Sequence, residues 1–161
     1  MQERKIKELA KIAMVSGLYV ALTLVLAPFS FGALQFRVAE MFNHLVIFNK
    51  RNIIAVTFGC VIANAFSVLG IIDVFVGGFS TLFMTITIHF ATKKIKNLKT
   101  KLFVSSLISI PFMLPVALEL NYIFKAPLLG TFLVISAGEF ISMLVGAVII
   151  YNANKVVDFE K

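Results

Sequence analysis

Long apolar runs recur along the chain between short charged stretches, so the surface turned away from any helical core is as greasy as the core itself. Only lipid tolerates such a surface. The runs predict transmembrane helices over residues 9–28, 36–48, 53–69, 72–92, 101–124 and 127–151. The second is the shortest and carries Arg37, Glu40, Asn43 and His44, so a re-entrant or surface helix is its alternative. The predicted fold is an all-α membrane protein: one domain over residues 1–161, a bundle of six transmembrane helices.

Composition agrees, with 60% hydrophobic and 14% charged residues, and it sets soluble classes aside. A net charge of +7 could suggest nucleic-acid binding, but its position along the chain points elsewhere. Thirteen of the fifteen Lys and Arg fall at the N-terminus (Arg4 to Lys11), at Lys50 and Arg51, between Lys93 and Lys101, and at Lys155 and Lys161. Only Arg37 and Lys125 are left for the other side. Cytoplasmic loops carry the excess of Lys and Arg, so six spans in a cell membrane with both termini cytoplasmic is the consistent solution. Dropping the second span would move Lys50 and Arg51 to the outside. The basic opening followed by apolar residues to Ala27 also resembles a signal peptide, but its apolar run has span length and five more spans follow.

Charges inside spans cost roughly 2.5–3.5 kcal/mol each, so they face cavities or partners and mark function. Glu40, Asp73, Glu119 and Glu139 lie in the spans or outer connections beside Arg37 and Lys125, which makes an acidic outer pocket suited to a ligand with hydrogen-bond donors or a positive group. As an α-helix, the second span would put Arg37, Glu40 and His44 on one face. The bland reading of Arg37 is a local bond to Glu40. Asp73 begins the fourth span, where it could equally cap the helix. Glu119 follows Pro111 and Pro115, which remove backbone donors and bend the fifth span. Glu139 stands twelve residues after Pro127, about 18 Å along a helix and near mid-bilayer; its bland reading is a protonated acid bonded to a hydroxyl. Asn64, at similar depth in the third span, needs partners for both ends of its amide.

Small residues every four positions let helices approach closely. Such stripes run through Ala13, Gly17 and Ala21, through Ala55, Gly59, Ala63 and Ser67, and through Gly138, Ser142 and Gly146. The last two are expected inside the bundle; the first is a candidate for packing outside it, against another subunit, a choice that spacing alone leaves open. His44 and His89 read as packing or interfacial residues. With the single Cys60 they make no metal pattern, and no metal is expected. No phosphate loop or H-E-x-x-H motif is present, so this chain encodes neither ATP nor metal-dependent hydrolysis.

Residues 18–41 (LYVALTLVLAPFSFGALQFRVAEM), 59–64 (GCVIAN) and 69–82 (LGIIDVFVGGFSTL) resemble the QueT family of substrate-binding S components of energy-coupling-factor (ECF) transporters. SAGEF at 136–140 is similar to that family's GE-containing last helix. The resemblance implies a six-helix S component that is not an enzyme and binds no cofactor. It would capture a queuosine precursor, a 7-deazaguanine base in the cyano or aminomethyl form, from outside. It would then dock on a membrane-embedded T component with two ABC-type ATPases that hydrolyse the ATP, toppling so that its pocket opens inward. It also implies a docking surface on the first helix, here at Ala13, Gly17 and Ala21. The substrate-binding candidates are Arg37, Glu40, Asn64, Asp73, Glu119 and Glu139. A guanine-like edge offers two adjacent N–H donors to a carboxylate, Glu139 or Glu119, while its carbonyl needs a donor, Arg37 or Asn64. An aminomethyl arm would seek a second acid, such as Glu40. The rival readings are an S component for another vitamin or nucleobase, a membrane-embedded enzyme using Glu119 and Glu139, and a stand-alone carrier or channel.

Overall fold

The computed structural model describes residues 2–32 and 36–159, with Arg4 described by its backbone alone. Among these residues every regular element is helical. They are α1 (Gln2–Val25), α2 (Ala27–Ser30), a 3₁₀ segment (Val38–Ile47), α3 (Arg51–Asn64), α4 (Ile71–Thr92), α5 (Leu98–Ser109), a 3₁₀ turn (Ile110–Met113), α6 (Leu114–Phe124) and α7 (Leu128–Ala153). Four stretches are long and apolar enough to cross a membrane: Lys5–Val25, Ile71–Thr92, Leu98–Phe124 and Leu128–Ala153. The 3₁₀ segment and α3 are apolar but shorter. Phe58, Phe75, Phe79, Phe83, Phe103 and Val148 are among many large apolar side chains exposed on the bundle's outside, as lipid contact requires.

Two boundaries depart from the hydropathy pattern for local reasons. The helix expected to reach residue 69 ends at Asn64, whose side-chain amide donates to the Asp73 carbonyl (3.0 Å) across the turn into α4. That turn closes at Gly70, whose φ of +57° suits a residue without Cβ. The break anticipated from Pro111 and Pro115 is the 3₁₀ turn, with a proline near the start of that turn and another near the start of α6.

The second predicted span is the hub of the molecule. Residues Val38–Ile47 form ten residues of 3₁₀ helix, a long run for a form usually confined to single turns. It packs against α1, α3, α4, α5 and α7. With about 2.0 Å of rise per residue the segment spans about 20 Å, where an α-helix of equal length would span about 15 Å. Side chains three apart eclipse in this helix, so Glu40 and Asn43 share one stripe and His44 turns about 120° away from it, while Arg37 stands on the extended cap just before the segment. His44 instead lies between Ser105 Oγ (2.6 Å) and the Met143 carbonyl (2.8 Å), as a packing residue between α5 and α7. His89 likewise binds backbone, with Nδ1 2.7 Å from the Val46 carbonyl.

The two small-residue stripes expected inside the bundle are buried there, as far as Ala63 in the first of them. Ala55, Gly59 and Ala63 are buried, with Gly59 against Tyr19 and the Ser16 carbonyl, and Ser16 Oγ donates to the Ala55 carbonyl (2.6 Å). Gly138, Ser142 and Gly146 are buried too. A Cβ at Gly146 would overlap the backbone of Met41, so this glycine sets how closely α7 approaches the 3₁₀ segment. Gly146→Ala is expected to cost about 1–3 kcal/mol by overpacking, read as a lowered unfolding temperature in detergent. Gly17→Ala, with open space beside Gly17, should leave that temperature within error.

The start of α1 and the residues that follow α7 lie at one end of the bundle. Arg51 Nη1 contacts both carboxylate oxygens of Glu8 (2.9 and 3.0 Å), Phe48 packs on Phe159 (5.4 Å between ring centroids), and Lys99 stands over the Tyr151 ring. The basic clusters at 50–51 and 93–101 therefore share that end with α1's start and α7's finish. The turns at 65–70 and 125–127 form the opposite end, where Asn121 Nδ2 donates to the Ala126 carbonyl (2.6 Å).

Candidate functional site

Polar side chains in the bundle converge on one place. A cavity of about 30 Å³ is lined by Arg37 and Glu40 from the 3₁₀ segment and its cap, Cys60 from α3, Asp73 and Ser80 from α4, and Glu139 from α7. Four of the six binding candidates read from sequence thus line one cavity, and Asn64 stands directly behind it. Glu119 does not line it.

Arg37 is the fixed cation of the site. Only 6% exposed, it donates from Nη1 to Asn64 Oδ1 (2.9 Å) and from Nε to the Ser30 carbonyl (3.2 Å). Its Nη2 lies 3.9 Å from Asp73 Oδ2, and its guanidinium sits over the Phe31 ring (5.2 Å to the centroid). The local bond to Glu40 that sequence allowed is therefore not its principal anchor. Asp73, three residues past the Gly70 cap, turns its carboxylate toward Arg37. Asn64 uses its carbonyl on Arg37 and its amide on the Asp73 backbone, so it braces the pair. A Cβ on Gly77 would overlap that amide, so the absence of a side chain there lets α4 come close enough to be bridged.

Glu40 is also held. The Tyr19 hydroxyl donates to Oε1 (2.6 Å), and Asn43 Nδ2 donates to Oε2. Tyr19 was not read from the sequence as part of the site. Its signal was a polar series, Ser16, Tyr19 and Thr23, at helical spacing within an apolar span, and all three are buried.

Glu139 is placed differently. It is 3% exposed, and its Oε1 has no hydrogen-bond partner among the described residues. Ser136 and Ser142 lie three residues before and after it on the same face of α7, and each has a buried hydroxyl likewise unpartnered among those residues. Ser80 Oγ and Asp73 Oδ2, on the cavity wall, also lack hydrogen-bond partners there. Buried polar atoms are normally satisfied, so these groups mark where hydrogen bonds to a bound water or a polar ligand would be made. At 30 Å³ the cavity holds about one water, and a flat bicyclic base needs several times that space. The geometry is that of a closed site.

Two larger spaces lie elsewhere in the bundle, and the second shares Ser80 with this cavity. A cleft of about 490 Å³ at the end opposite the basic clusters is bounded by Phe31, Ser67, Leu69, Phe124, Pro127 and Thr131. A groove of about 690 Å³ runs between α4 and α6 on the lipid side. Glu119 faces this groove. No group of three or more metal-ligating side chains forms among the described residues.

An all-helical bundle with an apolar exterior and a closed polar site within it defines an integral membrane protein built to hold a small polar solute. The family described as QueT transporter matches residues 9–155. The chain is 38% identical, over its full length and that of its relative, to the queuosine precursor transporter QueT of Lactococcus lactis subsp. cremoris (strain MG1363). No solved structure matches it. This chain belongs to the QueT transporter family.

Proposed function

We propose that this chain is the S component of an ECF-type importer and captures a queuosine precursor, a 7-deazaguanine base, at the outer face of the cell membrane. The observation that carries the reading is the Glu139 carboxylate, buried in the bundle with an oxygen unpartnered among the described residues, on a cavity whose arginine is already engaged. A guanine-like edge supplies the two adjacent donors such a group lacks, and Arg37 with Asn64 faces the base carbonyl. Substrate comes through the cleft at the end opposite the basic clusters, which is the outer side if the basic end is cytoplasmic. Six spans follow, with the 3₁₀ segment and α3 as the short pair and both termini cytoplasmic.

The chain performs no catalysis and holds no cofactor; two partner ABC-type ATPases hydrolyse ATP, and a T component couples them to this subunit. Support for that division of labour comes from the sequence, which has no phosphate loop, and from α1. Ala13, Gly17 and Ala21 are exposed together along that helix, and nothing approaches Gly17 within 4 Å of where a Cβ would stand. Small residues of this kind let a partner helix come close. Gly17→Leu should therefore fold and bind substrate as the unchanged protein does, while recovery of partner subunits in a pull-down from native membranes falls at least about tenfold.

The reading itself is tested by calorimetry on purified protein with 7-cyano- and 7-aminomethyl-7-deazaguanine, guanine and common vitamins. Preferential binding of a deazaguanine is expected. Tighter binding of a vitamin or of guanine would reassign the solute. Recovery of two ABC-type ATPases and a polytopic subunit with the tagged chain would establish the class.

A further inference from the structure

The groove between α4 and α6 has a feature that an ordinary lipid-facing crevice lacks. Phe75, Phe79 and Phe83 form one wall as a stacked ladder, with successive centroids 6.4 and 6.5 Å apart, and Pro115 and Tyr122 belong to the other. Into this apolar space faces Glu119, only 5% exposed, with neither carboxylate oxygen hydrogen-bonded among the described residues. Ser80, 6% exposed and with its hydroxyl equally unpartnered, borders both this groove and the polar cavity. It is the wall between them.

The acids of the two spaces differ in what they still need. Glu40 is satisfied by Tyr19 and Asn43, and Asp73 faces Arg37. Glu139 requires donors in the cavity, and Glu119 requires them in the groove. A neutral base edge answers the first requirement alone. An acid beside hydrocarbon is either neutral or paired, and a close positive partner is what recovers the cost of desolvating its charged form.

We propose that the groove is a second subsite, in which Glu119 pairs with a protonated amine carried on the solute. The site thereby selects a base with a cationic arm over the same base with a neutral one. This rests on the reading that the solute is a 7-deazaguanine. In that molecule the donor edge and the 7-substituent lie on opposite rings, so a base seated on Glu139 sends its arm away from the cavity, past Ser80. The arm thus goes to Glu119, whose two oxygens are both unpartnered among the described residues, and not to Glu40, whose two oxygens already accept from Tyr19 and Asn43.

The test is isothermal calorimetry with the aminomethyl and cyano forms of the base on the wild-type chain and on Glu119→Gln. Wild type is expected to bind the aminomethyl form at least about tenfold more tightly. Glu119→Gln should weaken that form by about 30-fold or more and leave the cyano form within about twofold, which also shows that the variant is folded. Equal affinity of wild type for both forms, or an equal loss of both in the variant, overturns the subsite and leaves the 7-deazaguanine reading standing. No binding of either form to wild type overturns that reading and this inference together. The wild-type comparison alone decides the matter if the variant does not fold.

Discussion

Glu139→Gln should reduce affinity for every 7-deazaguanine by about 100-fold or more while leaving the protein as stable as before. Removing one side of a buried charge-assisted pair typically costs 2–5 kcal/mol, which is this order of affinity. The substitution preserves shape but replaces an acceptor oxygen by an amide N–H₂, so donor meets donor at the base edge. Stability should hold because Oε1 has no hydrogen-bond partner among the described residues to lose, and a buried carboxylate without its guest is a desolvation cost. Calorimetry and a thermal melt on the same preparation check both halves. Retained affinity would remove Glu139 from recognition, and a collapsed melt would make it a structural residue.

Arg37→Met should lower the stability of the fold itself. Its guanidinium organises the 64–73 region through Asn64, Asp73, the Ser30 carbonyl and the Phe31 ring, and all of these lose their partner at once. Stranding a buried acid and amide costs about 3–5 kcal/mol, so the unfolding temperature in detergent should fall steeply. Introducing Asp73→Asn in the same background removes the stranded charge and should recover about 1–3 kcal/mol of that loss. Strictly additive single and double variants would show that the 3.9 Å pair is not energetically coupled.

The residue types at the site were legible because a charge or amide inside a hydrocarbon-compatible run has to be justified. Arg37, Glu40, Asn64, Asp73, Glu119 and Glu139 all stood out on that ground. Hydropathy could not show the helix type of residues Val38–Ile47. The α-helical period grouped His44 with Arg37 and Glu40, whereas the three-residue period of the folded segment groups Asn43 with Glu40. Tyr19 and Ser80 went unread because one hydroxyl in an apolar helix is affordable in many settings, and only a neighbour's position gives it a role.

The chain's own pattern determined that it is helical and lipid-embedded, where its basic residues gather, and which small-residue stripes could pack, since each follows from local composition and the 3.6-residue repeat. The fold decided the pairings. Five acids and amides of similar appearance were sorted by it into those with partners on both side-chain atoms, Glu40 and Asn64, one set 3.9 Å from Arg37 with an oxygen still lacking a hydrogen bond, Asp73, and those without any such charge partner and with unpartnered carboxylate oxygens among the described residues, Glu119 and Glu139. That sorting depends on which side chains from distant segments arrive within hydrogen-bonding reach, and sequence spacing carries no information about contacts a hundred residues apart.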